Sequence, residues 1–187
     1  MITSDKNGLQ RNAQWSPIYD CNTVLLAAVN FPTSQSFFNT HTVAANGRQV
    51  TNMDEAGKMS APQKFTVHAI RLIVVSTLIV ELTGLLANMA LWMSVSGKVV
   101  CEGLIEYFSA GAGAWAQSQE AGTGTGDVHQ NGVPDARSVV MFPAPYVIPL
   151  EPGEPFRVVL EGAGFALTGA SIVTKCILEG VHEWPIN

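Results

Sequence analysis

Histidine and cysteine, the residue types that most often bind metals, are scattered along this chain. No Cys-x-x-Cys or His-x-His pair occurs, so none of them has a second ligand at zinc-site spacing. We therefore predict no metal site and no cofactor, and we interpret the thiols as reduced and mostly buried, as in a protein made in a cytoplasm. His68 lies in an alternating, strand-like segment, where a structural role is expected. The residues concerned are His41, His68, His129, His182, Cys21, Cys101 and Cys176.

Carboxylates are the next candidates for chemistry, because a close pair can act as general acid and base. Glu102 and Glu106 are four residues apart on a predicted strand, which places them on one face about 13 Å apart. The paired carboxylates of glycosidases are only ~5–9.5 Å apart, so we interpret these two as a solvated strand face. No Gly-x-Ser-x-Gly motif occurs, and no cysteine has a neighbouring histidine. We therefore predict no catalytic residues and expect that the protein is not an enzyme.

Glycine tracts and aromatic residues are the remaining candidates for ligand binding. The tracts 111–113 and 122–126 lack the Gly-Lys-Ser/Thr of a phosphate loop and do not open a predicted helix, which favours a flexible loop. Among the aromatics, Trp92 is flanked by apolar residues and is predicted in the core, whereas Trp115 is predicted to be exposed for contact with a partner or ligand. The aromatic residues that could stack on a sugar are Trp92, Tyr107, Trp115 and Trp184.

The scarcity of charge is the most informative property of the whole chain. Lys, Arg, Asp and Glu make up 13% of its 187 residues, about half of the ~25% found in a typical soluble domain. A monomer of this size normally covers its surface with charge, so the deficit indicates that much of the surface is buried against other chains or against lipid. The ten Lys and Arg residues form no cluster that would neutralise phosphates, so no direct nucleic-acid binding is expected.

One apolar stretch is long enough to cross a membrane. Residues 72–93 contain Glu81 as their only charge. A carboxylate near the centre of a bilayer costs about 2.5–3.5 kcal/mol on insertion scales, and Thr83, Gly84 and Asn88 also interrupt the apolar run. Because the flanking residues alternate as in strands, we predict a strand, a helix and a second strand here, with a membrane span as the alternative.

The elements that would position these residues fall into two parts. Residues 1–64, rich in Asn, Gln, Ser and Thr, are predicted to be an extended N-terminal arm with one or two strands, ordered against its own body or a neighbour. Residues 65–187 are predicted to be a body with one short helix at 77–87 and a long surface loop at 111–135. About eight strands and one helix are typical of an all-β, antiparallel jelly-roll sandwich. The predicted body strands are 65–76, 90–96, 98–108, 138–142, 146–150, 155–161 and 171–181.

The layout of residues 65–187 resembles a known family. A long strand, a helix and a hairpin are followed by Pro-Tyr-Val-Ile-Pro-Leu-Glu-Pro-Gly-Glu-Pro-Phe-Arg-Val-Val-Leu at 145–160, and the last strand ends in Leu-Glu-Gly at 178–180. This order resembles a single jelly-roll structural protein of a bacterial virus, a capsid or capsid-associated component. The resemblance implies copies packed side by side through sheet edges and loops, with other virion proteins as further partners. Residues 1–64 depart from the family in being nearly neutral, where many genome-facing arms are basic.

Three interpretations are open from the sequence. The first is a virion structural protein, made in the host cytoplasm, that self-assembles as a capsid or capsid-associated subunit. The second is a β-sandwich module that binds a carbohydrate or a receptor through the loop at 111–135 and Trp115. The third is a membrane-attached accessory protein with residues 72–93 as its span.

Overall fold

The computed structural model describes residues 2–4, 10–25, 29–39, 50–76, 79–108, 114–117, 128–131, 140–169 and 171–186. These ranges contain fifteen strands, the helix α1 (Ile79–Asn88) and a 3-10 turn (Ile105–Phe108), so the fold is all-β, as predicted. The strands are β1 (Ile2–Ser4), β2 (Gln10–Trp15), β3 (Ile18–Val24), β4 (Asn30–Phe31), β5 (Ser34–Phe37), β6 (Lys64–Ser76), β7 (Met89–Val95), β8 (Lys98–Leu104), β9 (Ala114–Gln117), β10 (Val128–Asn131), β11 (Val140–Met141), β12 (Ile148–Leu150), β13 (Phe156–Gly162), β14 (Phe165–Ala166) and β15 (Ile172–Pro185).

The larger sheet is built on two long antiparallel strands, β6 and β15. Their register runs from Ile172 opposite Ser76 to Glu183 opposite Lys64, with one irregularity after Glu179. β2 and β3 lie end to end along the other edge of β15. β12, β11 and β10 lie end to end along the other edge of β6. β1 and β9 then pair with β2 and β10, respectively.

The smaller sheet has four antiparallel strands in the order β5, β13, β7 and β8. β7 and β8 form a hairpin through Ser96 and Gly97, whose φ angles of 49° and 78° are both positive, as in the two-residue turns that match strand twist. The hairpin confirms the prediction for residues 90–108, although β8 ends at Leu104 and a 3-10 turn follows it. β4 and β14 form a separate two-stranded sheet.

The core lies between the two sheets. Alternate residues of β6 and β15 point inward, among them Phe65, Leu72 and Leu178, and they belong to the same buried cluster as Met93 and Val158 of the smaller sheet. Buried residues thus alternate along both strands, with a change of phase in β6 at Ala69 and Ile70, which are both buried. The two sheets bury their inner faces against each other, as in a sandwich.

The apolar stretch at 72–93 folds as predicted into the end of β6, the helix α1 and the start of β7. Leu82 and Leu85 of α1 are buried in the core. Gly84 lets the helix approach Phe165, since a Cβ at this position would lie 2.8 Å from the Phe165 ring. No helix within the described ranges is both long and apolar enough to cross a membrane.

The predicted N-terminal arm supplies strands to both sheets. β2 and β3 pair with β15, and β5 pairs with β13. Phe31, Phe37 and Phe38 are fully buried, and the Phe38 amide donates a hydrogen bond of 2.7 Å to the buried Asp20 carboxylate. The described part of the predicted arm is therefore ordered against the chain's own body. The domain boundary at residue 64 stays a prediction.

Candidate functional site

The two carboxylates considered for catalysis do not share a strand. Glu102 lies on β8, but Glu106 lies in the 3-10 turn because β8 ends at Leu104, so the expectation of a shared strand face is wrong. Both side chains are exposed. Across the residues that the structure describes, no group of three or more His, Cys, Asp or Glu side chains could hold a metal ion.

The described histidines pack against aromatic rings. His68 lies on the larger sheet with its ring centroid 5.4 Å from that of Trp15. His182 lies between Phe65 and Trp184, with centroid distances of 5.9 and 5.6 Å, and its Nε2 is 3.0 Å from Gln63 Oε1. Burial lowers the pKa of His182 below its usual value, and the nearby Asp54 opposes part of this shift.

Acidification is expected to weaken the fold through His182. Because the pKa of His182 is lowered in the folded state, the unfolded chain binds more protons as pH falls through about 6.5. The free energy of unfolding should therefore decrease from pH 7.5 to 5.5, and the loss should level off below the folded-state pKa. Urea denaturation at several pH values measures this slope. The His182→Gln variant should show a smaller slope, and identical slopes in both proteins would contradict the assignment.

The three cysteines, all in the described part, are unpaired thiols. Burial raises the pKa of Cys21 and Cys101, and burial followed by the charge of Asp20 raises that of Cys176, which is completely enclosed. Raised pKa values keep the thiols protonated near neutral pH, so they are poor nucleophiles and poor metal ligands.

Trp92 is not in the core, contrary to the prediction. Leu91 and Met93 point inward, so strand alternation turns Trp92 onto the outer face of the smaller sheet, where it is half-buried. Its Nε1 donates a hydrogen bond of 2.6 Å to Glu161 Oε2. The Arg157 guanidinium lies 6.0 Å from the Trp92 ring centroid. The apolar neighbours of Trp92 wrongly suggested a core position, whereas the alternation of side chains along the strand correctly places Trp92 on the outer face.

The other predicted ligand-contact residues are dispersed. Tyr107 is exposed in the 3-10 turn, and Trp184 is half-buried beside His182 at the far end of the larger sheet. Trp115 and His129 belong to β9 and β10, but their side chains lie outside the described part, as do His41 and both glycine tracts.

A cluster of exposed apolar side chains lies on β8 and the turn after it, which together form the β8 edge (residues 98–107). β8 is the last strand on its side of the smaller sheet in the described topology. Leu104 and Tyr107 are each 66% exposed, and Val99 and Val100 are exposed at a bulge in the pairing with β7. An exposed apolar edge strand is a surface on which a second chain can pack.

A second cluster of exposed apolar side chains lies at the end of the sandwich that carries α1. Leu25 and Val29 follow β3, and Val80 is in the first turn of α1. The Val29 carbonyl accepts a hydrogen bond of 2.7 Å from the Leu167 amide, and the neighbouring Thr168 amide donates to Glu81 in α1. These bonds join Val29, which precedes β4, and the segment after β14 to each other and to the helix.

Sequence reasoning anticipated sheet edges and loops as contact surfaces but did not identify these residues. The signal that was available is the pair Val99-Val100, which follows a hairpin turn. No family model, curated protein or solved structure matches this chain. The described surface has exposed apolar side chains at one edge and at one end of the sandwich. Surfaces of this kind bind other protein chains.

Proposed function

We propose that this chain is a structural subunit of a virus particle, built on a jelly roll, that assembles with copies of itself. The observation that carries the proposal is the scarcity of charge on a chain that exposes groups of apolar side chains. The nested order in which strands pair along the chain supports the jelly roll. Other virion proteins are its further partners, and the virion, after synthesis in the host cytoplasm, is its location.

Strands that lie end to end count here as one position, and β1, β9 and the separate pair β4 and β14 are left out, which gives eight positions. Two of the eight lie within residues 1–64, so the proposed jelly roll is not confined to residues 65–187. The first (β2 and β3) pairs with the eighth (β15), and the third (β6) pairs with the sixth (β10 to β12), all in the larger sheet. In the smaller sheet the second (β5) pairs with the seventh (β13), and the fourth (β7) with the fifth (β8). One long hairpin wrapped into two sheets has this order, which supports the jelly-roll topology.

Jelly rolls occur in viral capsids and in lectins, so the fold alone does not select a function. Two observations favour the structural subunit. Only 13% of the residues are charged, and apolar side chains are exposed together on the β8 edge and on the α1 end. Protein interfaces have cores depleted in charge, and a subunit with several neighbours buries a large share of its surface in them.

The native mass in solution tests this proposal. Light scattering of the purified chain, in moderate salt without detergent, should give a species well above the 19.9 kDa of one subunit. A particle or ring of defined mass supports the structural role, and electron microscopy would then give its symmetry. A 20 kDa monomer at every concentration would overturn self-assembly.

Charge on the β8 edge should weaken the assembly. Leu104→Lys replaces an exposed apolar side chain of this edge by a charged one, and we expect a loss of about 1–2 kcal/mol per subunit contact, seen as a lower native mass at equal concentration. Because Leu104 is 66% exposed, the fold itself should be unaffected. Tyr146→Lys, at a position 72% exposed but distant along the chain, is the matched control and should leave the mass unchanged. Equal masses for both variants would place the contact elsewhere.

A further inference from the structure

We propose that the outer face of the smaller sheet binds a neutral carbohydrate, with one sugar ring stacked on the indole of Trp92. This role is separate from self-assembly, although an assembled particle would present the site many times and gain avidity from it.

The indole forms a platform across β13. Trp92 is directly opposite Val159 in the pairing of β7 with β13, and its Nε1 reaches Glu161, two residues further along β13. Val159 belongs to the outer face, because Val158 and Leu160 point into the core, yet it has no exposed surface. Trp92 is thus the cross-strand neighbour of Val159 and keeps part of its surface in solvent, and the Arg157 guanidinium lies 6.0 Å from the centroid of its ring, where a bound sugar would meet it. The hydrogen bond of 2.6 Å to Glu161 fixes the ring in this orientation.

Hydrogen-bonding groups surround this platform. Arg157 and Glu161 are exposed on either side of Val159, and the Arg157 Nη2 is 3.5 Å from Ser36 Oγ on β5. Glu102 on β8 is opposite Trp92 on its other side. The neighbours of Trp92 along its own side of β7 are the small residues Ala90, which is half-buried, and Ser94, which is buried.

A neutral sugar matches this arrangement better than other ligands. One face of a pyranose ring presents C–H groups, which the negative π face of an indole attracts, and its rim of hydroxyls can pair with a guanidinium and carboxylates. An anionic ligand would meet Glu102 and Glu161 on a chain of net charge −5. An apolar protein segment bound here would exclude water from the same charged groups without pairing them, which is unfavourable.

Binding of neutral oligosaccharides tests the proposal. The probes are hexasaccharides of glucose (α- and β-linked), xylose, mannose and N-acetylglucosamine, titrated into the full chain by calorimetry and followed by saturation-transfer NMR. We expect at least one to bind with a dissociation constant of about 1 mM or tighter. Trp92→Ala should weaken that binding at least about tenfold, and Trp92→Phe, which keeps a ring without the donor to Glu161, by about threefold.

Two controls distinguish carbohydrate binding at Trp92 from nonspecific binding to exposed aromatic side chains and from self-assembly. Tyr146→Ala removes an aromatic side chain that is more exposed than Trp92 and should leave binding unchanged. If no probe binds while the native mass is large, the carbohydrate site is wrong and self-assembly stands. If Trp92→Ala lowers the native mass and no probe binds, the face is an interface between copies, which also overturns the site. A monomer that binds a probe through Trp92 would instead overturn self-assembly alone.

Discussion

Replacing Gly180 by alanine is expected to lower the free energy of unfolding by about 2–4 kcal/mol. Gly180 lies where the register between β15 and β6 shifts, next to Glu179. A Cβ at this position would stand 1.9 Å from the Thr66 carbonyl oxygen and 3.0 Å from the Phe65 ring. The clash is with backbone, so no side-chain rotation relieves it, and the two longest strands of the larger sheet must separate locally.

Urea denaturation followed by circular dichroism measures this loss. Gly97→Asn is the matched control: Gly97 has a φ of +78° with open space around its Cα, and asparagine adopts this conformation more readily than most residues. We expect the control to cost less than about 1 kcal/mol, which is the range of glycine turn effects. An unchanged urea midpoint for Gly180→Ala would show that β6 and β15 are not held at the register described.

Local sequence patterns predicted the positions of strands and of the helix more reliably than they predicted which strands pair with each other. The alternation of β6 and β15, the hairpin turn at Ser96 and the helix in an apolar stretch all follow from residues close in sequence. The pairing of Ile18 with Leu178 joins positions 160 residues apart, and side-chain period carries no information about which strands meet. For the same reason the strands within the predicted arm were not assigned to the two sheets.

The surface was the least predictable part. Trp92 was misplaced because neighbouring Leu91 and Met93 suggested a core segment, whereas the two-residue period of a strand puts Trp92 on the face opposite to both of them. The β8 edge could not be derived because exposure of Val99 and Leu104 depends on β8 being last in its sheet, which is a property of topology. Arg157 and Glu161 reach Trp92 only through the long-range pairing of β13 with β7.

Removal of the Glu81 side chain is expected to cost about 2–4 kcal/mol. Glu81 is 1% exposed, and its Oε1 accepts hydrogen bonds from the Thr168 amide at 2.6 Å, the Gly169 amide at 2.9 Å and the Thr168 hydroxyl at 3.1 Å. These contacts hold the loop between β14 and β15 to α1. In Glu81→Ala the donors of the exposed Thr168 and Gly169 exchange a charged acceptor for water, and the place of the buried carboxylate is left unfilled.

Two further variants distinguish hydrogen bonding by the Glu81 carboxylate from packing of its side-chain volume. Glu81→Gln keeps an oxygen acceptor but loses the charge that strengthens the bonds, so about half of the alanine loss is expected, ~1–2 kcal/mol. Glu102→Ala, at an exposed carboxylate on β8, should stay within about 0.5 kcal/mol of the wild type. Hydrogen exchange supplies the local readout, because the Thr168 and Gly169 amides should exchange faster in Glu81→Ala while those of β13 do not. A wild-type stability for Glu81→Gln, with unchanged exchange of both amides in Glu81→Ala, would mean that side-chain volume, and not the carboxylate, joins the loop to the helix. The exposed cluster of Leu25, Val29 and Val80 would then keep its arrangement without these hydrogen bonds.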